Sequence, residues 1–367
     1  MKQICLRCER TSADGNLWCQ EPDCPAEDKP TIFDYGQFFG DAKITRMLYV
    51  SRTSAYYDAE RGKTRILLKV AHPHCENQLK REAELLQQEQ AERRRPAHPL
   101  LPTLLPAYQY STLEEHPHGK AIVGGEERFY EVLHPIDGDF LRNWLVKNPQ
   151  PWYEHAVWQT ISLAELLAYL HLKMKRLHLA LNPDAIIVRA DLQGIPRPVL
   201  VDLGVMISET RPEHLEWLHY HALPAYTAPE LTYTTPESIA QCLPATPASD
   251  VYELGLLLYE MLAGFPAHED KRKNPDLIRD AVRSHRPASL SRSDLPEAAE
   301  KIVDQAISRS PTERYPDLST FARDLRSMFG KVPREKKPRT ANQRLVIVGA
   351  VAGALFSVLI LLAALSG

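Results

Sequence analysis

An uncharged apolar segment is the feature that most restricts how this chain can fold. Residues 345–365 read LVIVGAVAGALFSVLILLAAL and contain no Asp, Glu, Lys, Arg or His. At a rise of about 1.5 Å per residue, a helix of this length crosses a bilayer core of about 30 Å. The alternative is a buried core helix, which would be uncharged on every face. The segment therefore predicts a single membrane-spanning helix, residues 345–365.

The residues before this segment predict its orientation. The juxtamembrane linker, residues 331–344, reads KVPREKKPRTANQR and carries six Lys or Arg residues against one acid. Basic residues beside a span favour the cytoplasmic side. We therefore expect a single-pass membrane protein with its N-terminal bulk in the cytoplasm, anchored by its tail. Gly349 and Gly353 form a GxxxG pattern, which can serve as the seam of a helix homodimer in a membrane.

The composition allows a full globular core in the rest of the chain. Of 367 residues, 44% are hydrophobic and 25% are charged, with a formal net charge of -3. This balance offers no overall attraction to nucleic acid, so we do not expect nucleic-acid binding. The pattern divides into a Cys-bearing head at residues 1–30 and a long folded region at 40–330, followed by the linker and the anchor. No feature identifies the protein partners.

Four cysteines lie in the head, as Cys5-x2-Cys8-x10-Cys19-x4-Cys24. Two close pairs joined by a short loop can hold one Zn²⁺ with four thiolates at about 2.3 Å. A segment this short has no core of its own, so the metal would supply its folding energy. Four thiolates leave no open position for catalysis. The spacing predicts a structural zinc ribbon; the alternative is two reduced Cys pairs in an unfolded head.

The folded region has strand patterns first and helix patterns later. RILLKVA at 65–71 and RFYEVLHPIDG at 128–138 read as strands, with a helix over 79–90 between them. A long helix over 156–173 follows, and then AIIV and PVLVDLG, joined by a turn, predict a hairpin. From about residue 250 the patterns are helical. This order predicts an α+β fold with two lobes and a cleft between them.

A series of motifs in this region resembles a bacterial Ser/Thr protein kinase domain. LLKVA resembles the strand that carries the ATP-phosphate lysine, which would be Lys69, and LKREAELL the helix that carries its partner, Glu82. YEVLHPIDGDFLRNWL resembles the hinge, with adenine bonded near His134 and Ile136. VDLG places Asp202 at the Mg²⁺ aspartate. Glu84 and Glu89 remain alternative partners for the lysine if the helix shifts register.

The resemblance also implies the fold and its later motifs. It implies a small β-rich lobe over about 40–135 and a larger helical lobe over about 136–330. ALPAYTAPE matches the end of the activation segment, and the resemblance pairs its Glu230 with Arg314. SDVYELGLLLYEMLAG matches the large buried helix that begins near Asp250.

The catalytic loop departs from the family at the residues that perform phosphoryl transfer. HLALNPDAIIV, residues 178–188, keeps the rhythm of the motif. Aligned on its His, Leu179 replaces the arginine, Ala180 the catalytic Asp, Asn182 the lysine and Ala185 the metal-binding Asn. An alanine side chain has no polar atom, so it can neither accept a proton nor hold a metal. Phosphoryl transfer depends on such groups acting together.

Two further departures lie outside this loop. Leu223 stands where the family has a Thr that bonds the catalytic Asp and Lys. No glycine occurs between Gly40 and Gly62, where the family covers the ATP phosphates with a Gly-rich turn; Ser51, Thr53 and Ser54 lie there instead. Without glycine, the backbone approaches phosphates less closely.

These departures favour a membrane-anchored pseudokinase that acts as a cytosolic signalling or scaffold module. Lys69, Glu82 and Asp202 leave two interpretations open: ATP binding with a single Mg²⁺, or an ion-pair network that joins the lobes. The enzyme-class alternative is a weak or atypical Ser/Thr protein kinase with a rearranged base, for which Asp184 is the candidate. In a third alternative, the zinc-binding head is the part that acts on partners, and the kinase-like region is an inert module for dimerisation or docking.

Overall fold

The computed structural model describes the chain in several stretches, which are residues 3–4, 11–12, 33–51, 53–72, 75–93, 98–123, 125–208, 232–240, 245–271 and 275–336. The chain divides into two units, one of Met1–Arg189 and Pro196–Val332 and the other of Ala190–Ile195 and Pro333–Gly367. In the second unit, Asp191 closes its own turn, because its Oδ1 accepts from the backbone N–H of Ile195 at 3.0 Å.

The strands of the first unit form one large antiparallel sheet and smaller pairs. In the large seven-stranded sheet the order is β3-β4-β5-β6-β9-β7, and β8 also pairs with β9. The strands are β1 Gln3–Ile4, β2 Thr11–Ser12, β3 Phe38–Phe39, β4 Ala42–Val50, β5 Ser54–Arg61, β6 Thr64–Ala71, β7 Leu104–Leu105, β8 Gly119–Val123, β9 Glu126–Leu133, β10 Asp139–Phe140, β11 Arg176–Leu177, β12 Ile186–Ala190, β13 Pro196–Leu200 and β14 Ile207–Ser208.

Strand β6 shows how the sequence builds the two faces of this sheet. Ile66, Leu68 and Val70 alternate along it and pack in one apolar core of the sheet. Leu67 faces the other way, into the large core that runs through the helices. Lys69 lies on that same face, and the strand predicted at 65–71 is confirmed.

The helices follow the predicted order. They are α1 Glu76–Arg93, α2 Leu141–Lys147, α3 Tyr153–Met174, α4 Pro236–Ala240, α5 Pro247–Ala263, α6 Pro275–Ser284, α7 Glu297–Ala306 and α8 Leu318–Phe329. Helix α3 packs against α5 and α8 and carries much of the large core. Thr246 begins α5 with a capping box that includes Ser249. The helices predicted at 79–90 and 156–173 are confirmed, each with additional residues at its ends.

The predicted hairpin is also confirmed. Strands β12 and β13 are neighbours in a three-stranded sheet of order β10-β12-β13, and β10 leads directly into α2. Strand β11 pairs with β14, with Arg176 opposite Ser208. The catalytic-loop sequence therefore lies between β11 and β12.

The predicted head and anchor fall mainly outside the described residues. Of the head, β1 and β2 pair antiparallel, with Ile4 opposite Thr11; Cys5, Cys8, Cys19 and Cys24 lie outside the described ranges. The segment 345–365 lies outside them too. Among the helices that are described, none combines the length and the apolar character that a membrane crossing needs.

Candidate functional site

A buried lysine forms the centre of the cleft. Lys69 Nζ lies 2.5 Å from Glu82 Oε2, 3.7 Å from Asp202 Oδ1 and 3.8 Å from Glu131 Oε1. The ring of Tyr56 lies 5.5 Å from the ammonium. The structure thus brings together Lys69, Glu82 and Asp202, which the resemblance implied, and places Glu82 rather than Glu84 at the lysine.

Glu131 was not anticipated from the sequence. It lies directly opposite Lys69 in the pairing of β9 with β6 and is completely buried. Neither of its carboxyl oxygens, nor Glu82 Oε1, has a hydrogen-bond partner within the described part of the chain. Burial, followed by the charge of Glu82, raises the pKa of Glu131 well above its usual value. A proton on Glu131 can be donated to Glu82 Oε1, which satisfies that acceptor and the Glu131 oxygen that carries the proton.

The charge of the lysine is stabilised by these neighbours. Burial opposes the protonated form, but Glu82, followed by Tyr56, Glu131 and Asp202, raises the pKa of Lys69 above its usual value. Lys69 is therefore a cation whose partners all belong to the same chain. A buried cation requires such partners, because moving an ion out of water into a protein costs on the order of several kcal/mol.

Asp202 is positioned by a short turn that packs on helix α1. It adopts a left-handed backbone with φ of 61°, and Leu203–Val205 continue as a 3-10 turn. The backbone N–H of Gly204 donates to Glu82 Oε2 at 3.3 Å. A Cβ at Gly204 would overlap the backbone carbonyl of Gln78. Glycine is thus required here for the close approach of the turn to α1.

One carboxylate oxygen of Asp202 accepts a hydrogen bond from a hydroxyl group. Thr53 Oγ1 donates to Asp202 Oδ1 at 2.7 Å. Thr53 lies with Ser51 and Ser54 in the tip of the β4–β5 hairpin, where all three are about 1% exposed. The glycine-free turn noted in the sequence is therefore folded inward onto the aspartate.

The backbone of the catalytic loop is firmly held by helix α5. Asp250 accepts from the backbone N–H of His178 and of Leu179, each at 2.8 Å, and its Oδ2 lies 2.7 Å from His171 Nε2. Glu253 Oε2 accepts from the backbone N–H of Leu181 at 2.7 Å. Leu179 has a positive φ of 54°, a conformation that branched residues adopt only when the surroundings enforce it.

The side chains of this loop do not provide a catalytic group. Ala180 and Ala185 present no polar side-chain atoms. Asn182 is used within the loop, because its Nδ2 donates to the carbonyl of Ala180 at 2.8 Å and its Oδ1 accepts from the backbone N–H of Asp184 at 2.8 Å. The backbone of the loop is therefore fixed by hydrogen bonds. Its side chains offer no proton acceptor at positions 180 and 185, where the family has an Asp and an Asn.

Asp184, the candidate substitute base, is held by two residues outside the loop. Arg142 Nε donates to Asp184 Oδ1 at 2.6 Å, and Arg142 Nη2 donates to Oδ2 at 2.9 Å. The Tyr49 hydroxyl also donates to Asp184 Oδ1. Burial, followed by the charge of Asp184, raises the pKa of Tyr49, so the phenol stays neutral. A carboxylate with three donors on its own chain is a structural acceptor and not a free base.

The predicted hinge lies where β9 ends. The backbone N–H of His134 donates to the carbonyl of Thr103 at 2.8 Å, and Pro135 has no backbone N–H. Ile136 packs at the edge of the large core. The His134 N–H is thus already bonded within the chain, and Pro135 offers no donor to a base.

The predicted partner of Arg314 is wrong. Arg314 Nη1 and Nη2 donate to the two oxygens of Glu237, each at 2.7 Å. The other donors of the guanidinium bond to the backbone carbonyls of Ser308, Ala248 and Arg309, so all five are used. Glu230, the predicted partner, lies outside the described residues, as does Leu223. Pro-Glu occurs twice within residues 228–237, and the second of these two dipeptides begins α4.

Other residues that the sequence analysis missed act through contacts between distant segments. They are Tyr49, Glu131, Arg142, Glu237 and Glu253. The strand register would have indicated Glu131, and an acid one helical turn after Asp250 would have indicated Glu253. Within the ranges that are described, no group of three or more His, Cys, Asp or Glu residues is arranged to hold a metal ion.

Comparison with known proteins agrees with this fold. The family model described as the protein kinase domain matches residues 67–323. The chain is 28% identical over 196 residues to Serine/threonine-protein kinase PkaA of Streptomyces coelicolor, covering 53% of this chain and 33% of that protein. It is 26% identical over 191 residues to Serine/threonine-protein kinase C of Synechocystis sp., covering 50% of this chain and 31% of that protein. The chain thus spans about a third of these relatives.

A solved structure gives the same fold. A crystal structure of a double mutant of the Mycobacterium tuberculosis PknI kinase domain superposes with a TM-score of 0.54 and 19% identity, covering 82% of this chain and 100% of that one. At this identity the likeness concerns the fold alone. It supports the two-lobed α+β architecture that the order of strands and helices predicted.

Proposed function

This chain belongs to the protein kinase family, whose domain model matches residues 67–323, and within that family we propose that it is a pseudokinase. It would use the kinase fold as a signalling or scaffold module and would not transfer phosphate efficiently. The observation that carries the proposal is the contrast within one loop. Its backbone is bonded to Asp250 and Glu253, while Ala180 and Ala185 replace the base and a metal ligand.

Kinase chemistry uses ATP with Mg²⁺, and the residues present fit this pair poorly. A magnesium ion needs several oxygen ligands in nearly octahedral geometry. In this cleft Asp202 shares its Oδ1 with Thr53, and the position of the second metal ligand is Ala185. We therefore derive no phosphoryl-transfer step for this chain.

A weak or atypical Ser/Thr protein kinase is the second candidate. The curated relatives are all named as serine/threonine-protein kinases, and this favours the enzyme reading over the pseudokinase. The Lys69–Glu82 ion pair and Asp202 also stand at the positions where an active protein kinase has its lysine, its glutamate and its Mg²⁺ aspartate. Against it stands the geometry of Asp184, the one acid left in the loop, which Arg142 and Tyr49 engage.

Labelled phosphate distinguishes the two candidates. The full-length chain is incubated with ATP labelled at the γ-phosphate, with Mg²⁺ or Mn²⁺, alone and with a generic protein substrate. The pseudokinase proposal expects no label on either protein above that of the Asp202→Ala variant. Label that accumulates on the chain or the substrate and disappears in Asp202→Ala would establish the atypical kinase instead.

The arrangement around the kinase fold is part of the same proposal. The zinc ribbon with Cys5, Cys8, Cys19 and Cys24, the membrane span at 345–365 and the cytoplasmic location of the bulk are supported by the sequence patterns alone. Zinc near one ion per chain, lost in Cys5→Ser, would support the ribbon. Release from membranes by carbonate at high pH would contradict the anchor. A GxxxG dimer would weaken on Gly349→Ile.

A further inference from the structure

Two hydroxyl groups on one hairpin reach Asp184, the one acid in the catalytic loop, and Asp202, at the position of the Mg²⁺ aspartate. The Tyr49 hydroxyl, at the end of β4, donates to Asp184 Oδ1. The Thr53 hydroxyl, at the tip that joins β4 to β5, donates to Asp202 Oδ1 at 2.7 Å. The hairpin belongs to the large sheet, whereas Asp184 and Asp202 flank the β12–β13 hairpin. Both bonds therefore cross the cleft.

The tip of this hairpin is held in its inward position. The backbone N–H of Ser51 donates to the carbonyl of Ser54 at 2.8 Å, and the backbone N–H of His72 donates to the carbonyl of Thr53 at 2.8 Å. His72 Nε2 lies 2.9 Å from the carbonyl of Ser51. Burial lowers the pKa of His72 to about 4, so at neutral pH the ring is uncharged and its Nε2 carries the proton that is donated.

Aromatic rings fill the space beside these bonds. The Tyr49 and Phe140 rings stack with centroids 3.9 Å apart and planes at 14°, and Tyr56 packs edge-on against Phe140 at 4.9 Å. All three rings are buried in the same apolar core as Leu133, with Ile136 packed at its edge. Tyr56 lies opposite Lys69 in the pairing of β5 with β6, so a planar base that entered beside this lysine would meet rings that are already stacked.

We propose that Tyr49, Thr53, Asp184 and Asp202 form a hydroxyl latch, which closes the cleft against a nucleotide with its metal. Resting on the proposed function, it explains how a kinase fold keeps its lysine and aspartate without using them. Donors of the same chain bond to both oxygens of Asp184 and to Oδ1 of Asp202, so a divalent cation would compete with Thr53 for Asp202 Oδ1. The latch also joins the two lobes and keeps the fold closed in the absence of ligand.

Matched variants of Thr53 test the latch in the full-length chain. Thr53→Val removes the hydroxyl with little change of shape, and Thr53→Ser keeps a hydroxyl. Thr45→Val is the control, because the Thr45 hydroxyl lies in the same hairpin, donates to the carbonyl of Asp58 at 3.0 Å and takes no part in the latch. Amide exchange is measured at residues 50–55. We expect exchange about tenfold faster in Thr53→Val, as for the loss of one hydrogen bond of about 1.4 kcal/mol, and unchanged exchange in the other two.

Nucleotide titration supplies the second arm. The thermal unfolding midpoint of the unmodified chain is measured with up to millimolar ATP, once with Mg²⁺ and once with EDTA. We expect the two midpoints to be equal. In the Tyr49→Ala/Thr53→Val double variant, which opens the ring space and frees Asp202, the same titration should raise the midpoint. Saturable stabilisation of the unmodified chain by ATP with Mg²⁺, or exchange in Thr53→Val equal to that of Thr45→Val, would overturn the latch.

The two arms also separate the latch from the proposed function. Stabilisation of the unmodified chain by ATP without transfer of labelled phosphate would overturn the latch and leave the pseudokinase intact. Transfer of label by the unmodified chain would overturn both. The Tyr57→Phe variant controls for the loss of a buried phenol, since the Tyr57 hydroxyl accepts from the backbone N–H of Phe33 at 3.2 Å away from the latch.

Discussion

Asp250 accepts the backbone N–H of His178 at 2.8 Å, so a buried carboxylate on helix α5 sets the path of the catalytic loop. The same carboxylate holds Leu179 in its left-handed conformation through a second bond of 2.8 Å. Burial opposes its ionisation, but the hydrogen bond and charge of His171, with His178 nearby, lower the pKa of Asp250 below its usual value. The loop thus keeps its shape for reasons that do not involve catalysis.

Asp250→Ala should therefore unfold the large lobe rather than change a reaction. It leaves two buried backbone N–H groups and His171 without their acceptor. We expect a loss of about 3–5 kcal/mol in the free energy of unfolding, as for removal of one partner of a buried pair. Urea denaturation measures it. The control is Asp317→Ala, because Asp317 caps α8 through the backbone N–H of Thr320 at 2.7 Å and its loss costs about 1 kcal/mol. Equal losses in the two variants would contradict this role of Asp250.

The pair of Glu237 and Arg314 makes a second prediction. Both residues are buried, and Ser249 Oγ also donates to Glu237 Oε1 at 2.9 Å. Glu237→Gln removes the charge that the guanidinium needs, so we expect a loss of about 3–5 kcal/mol. Glu230→Gln should cost less than Glu237→Gln, because every guanidinium donor of Arg314 is bonded without Glu230. Thermal unfolding of both variants decides which glutamate pairs with Arg314, and a larger loss in Glu230→Gln would reverse the assignment.

Protonation of Glu131 makes stability depend on pH. Above the ordinary pKa of 4.5 and below its raised native pKa, native Glu131 binds more protons than the unfolded chain does. Its stabilising contribution is therefore complete below that ordinary value and is lost as the pH rises through the native pKa. In Glu131→Gln the amide can donate to Glu82 at every pH.

We expect Glu131→Gln to match or exceed the unmodified chain in the free energy of unfolding at pH 8. The difference between the two should grow by at most about 1.4 kcal/mol per pH unit as the pH rises. Denaturant unfolding from pH 5 to pH 8 measures it. Glu127→Gln is the control, because Glu127 lies on the same strand, is exposed, and pairs with Lys120 at 3.0 Å. A difference that is constant with pH would show that native Glu131 is ionised.

The motif order predicted the fold because each motif combines a local pattern with a position in the series. LLKVA belongs to a short apolar run typical of a strand and LKREAELL is helical in composition, so Lys69 and Glu82 could be paired before the structure was known. The pairing of Arg314 could not be resolved in this way. Two Pro-Glu dipeptides look alike locally, and only the start of α4 at Pro236 places Glu237 beside the guanidinium.

The contents of the cleft could be predicted only in part. The lack of polar atoms at Ala180 and Ala185 is a property of the residues and is visible in the sequence. The engagement of Asp202 by Thr53 and of Asp184 by Arg142 depends on bonds between residues that lie far apart in the chain. No local pattern encodes such bonds, because they depend on how the β4–β5 hairpin and helix α2 pack against the loops that carry the two acids.

Formation of ADP tests the central claim most directly, since every phosphoryl acceptor, water included, leaves ADP behind. The full-length chain is incubated with ATP and Mg²⁺ or Mn²⁺, and ADP is quantified against Asp202→Ala and Lys69→Met. We predict that ADP from the unmodified chain equals that from both variants over many hours. ADP that forms steadily above this level, and falls to it in Asp202→Ala, would contradict the pseudokinase assignment.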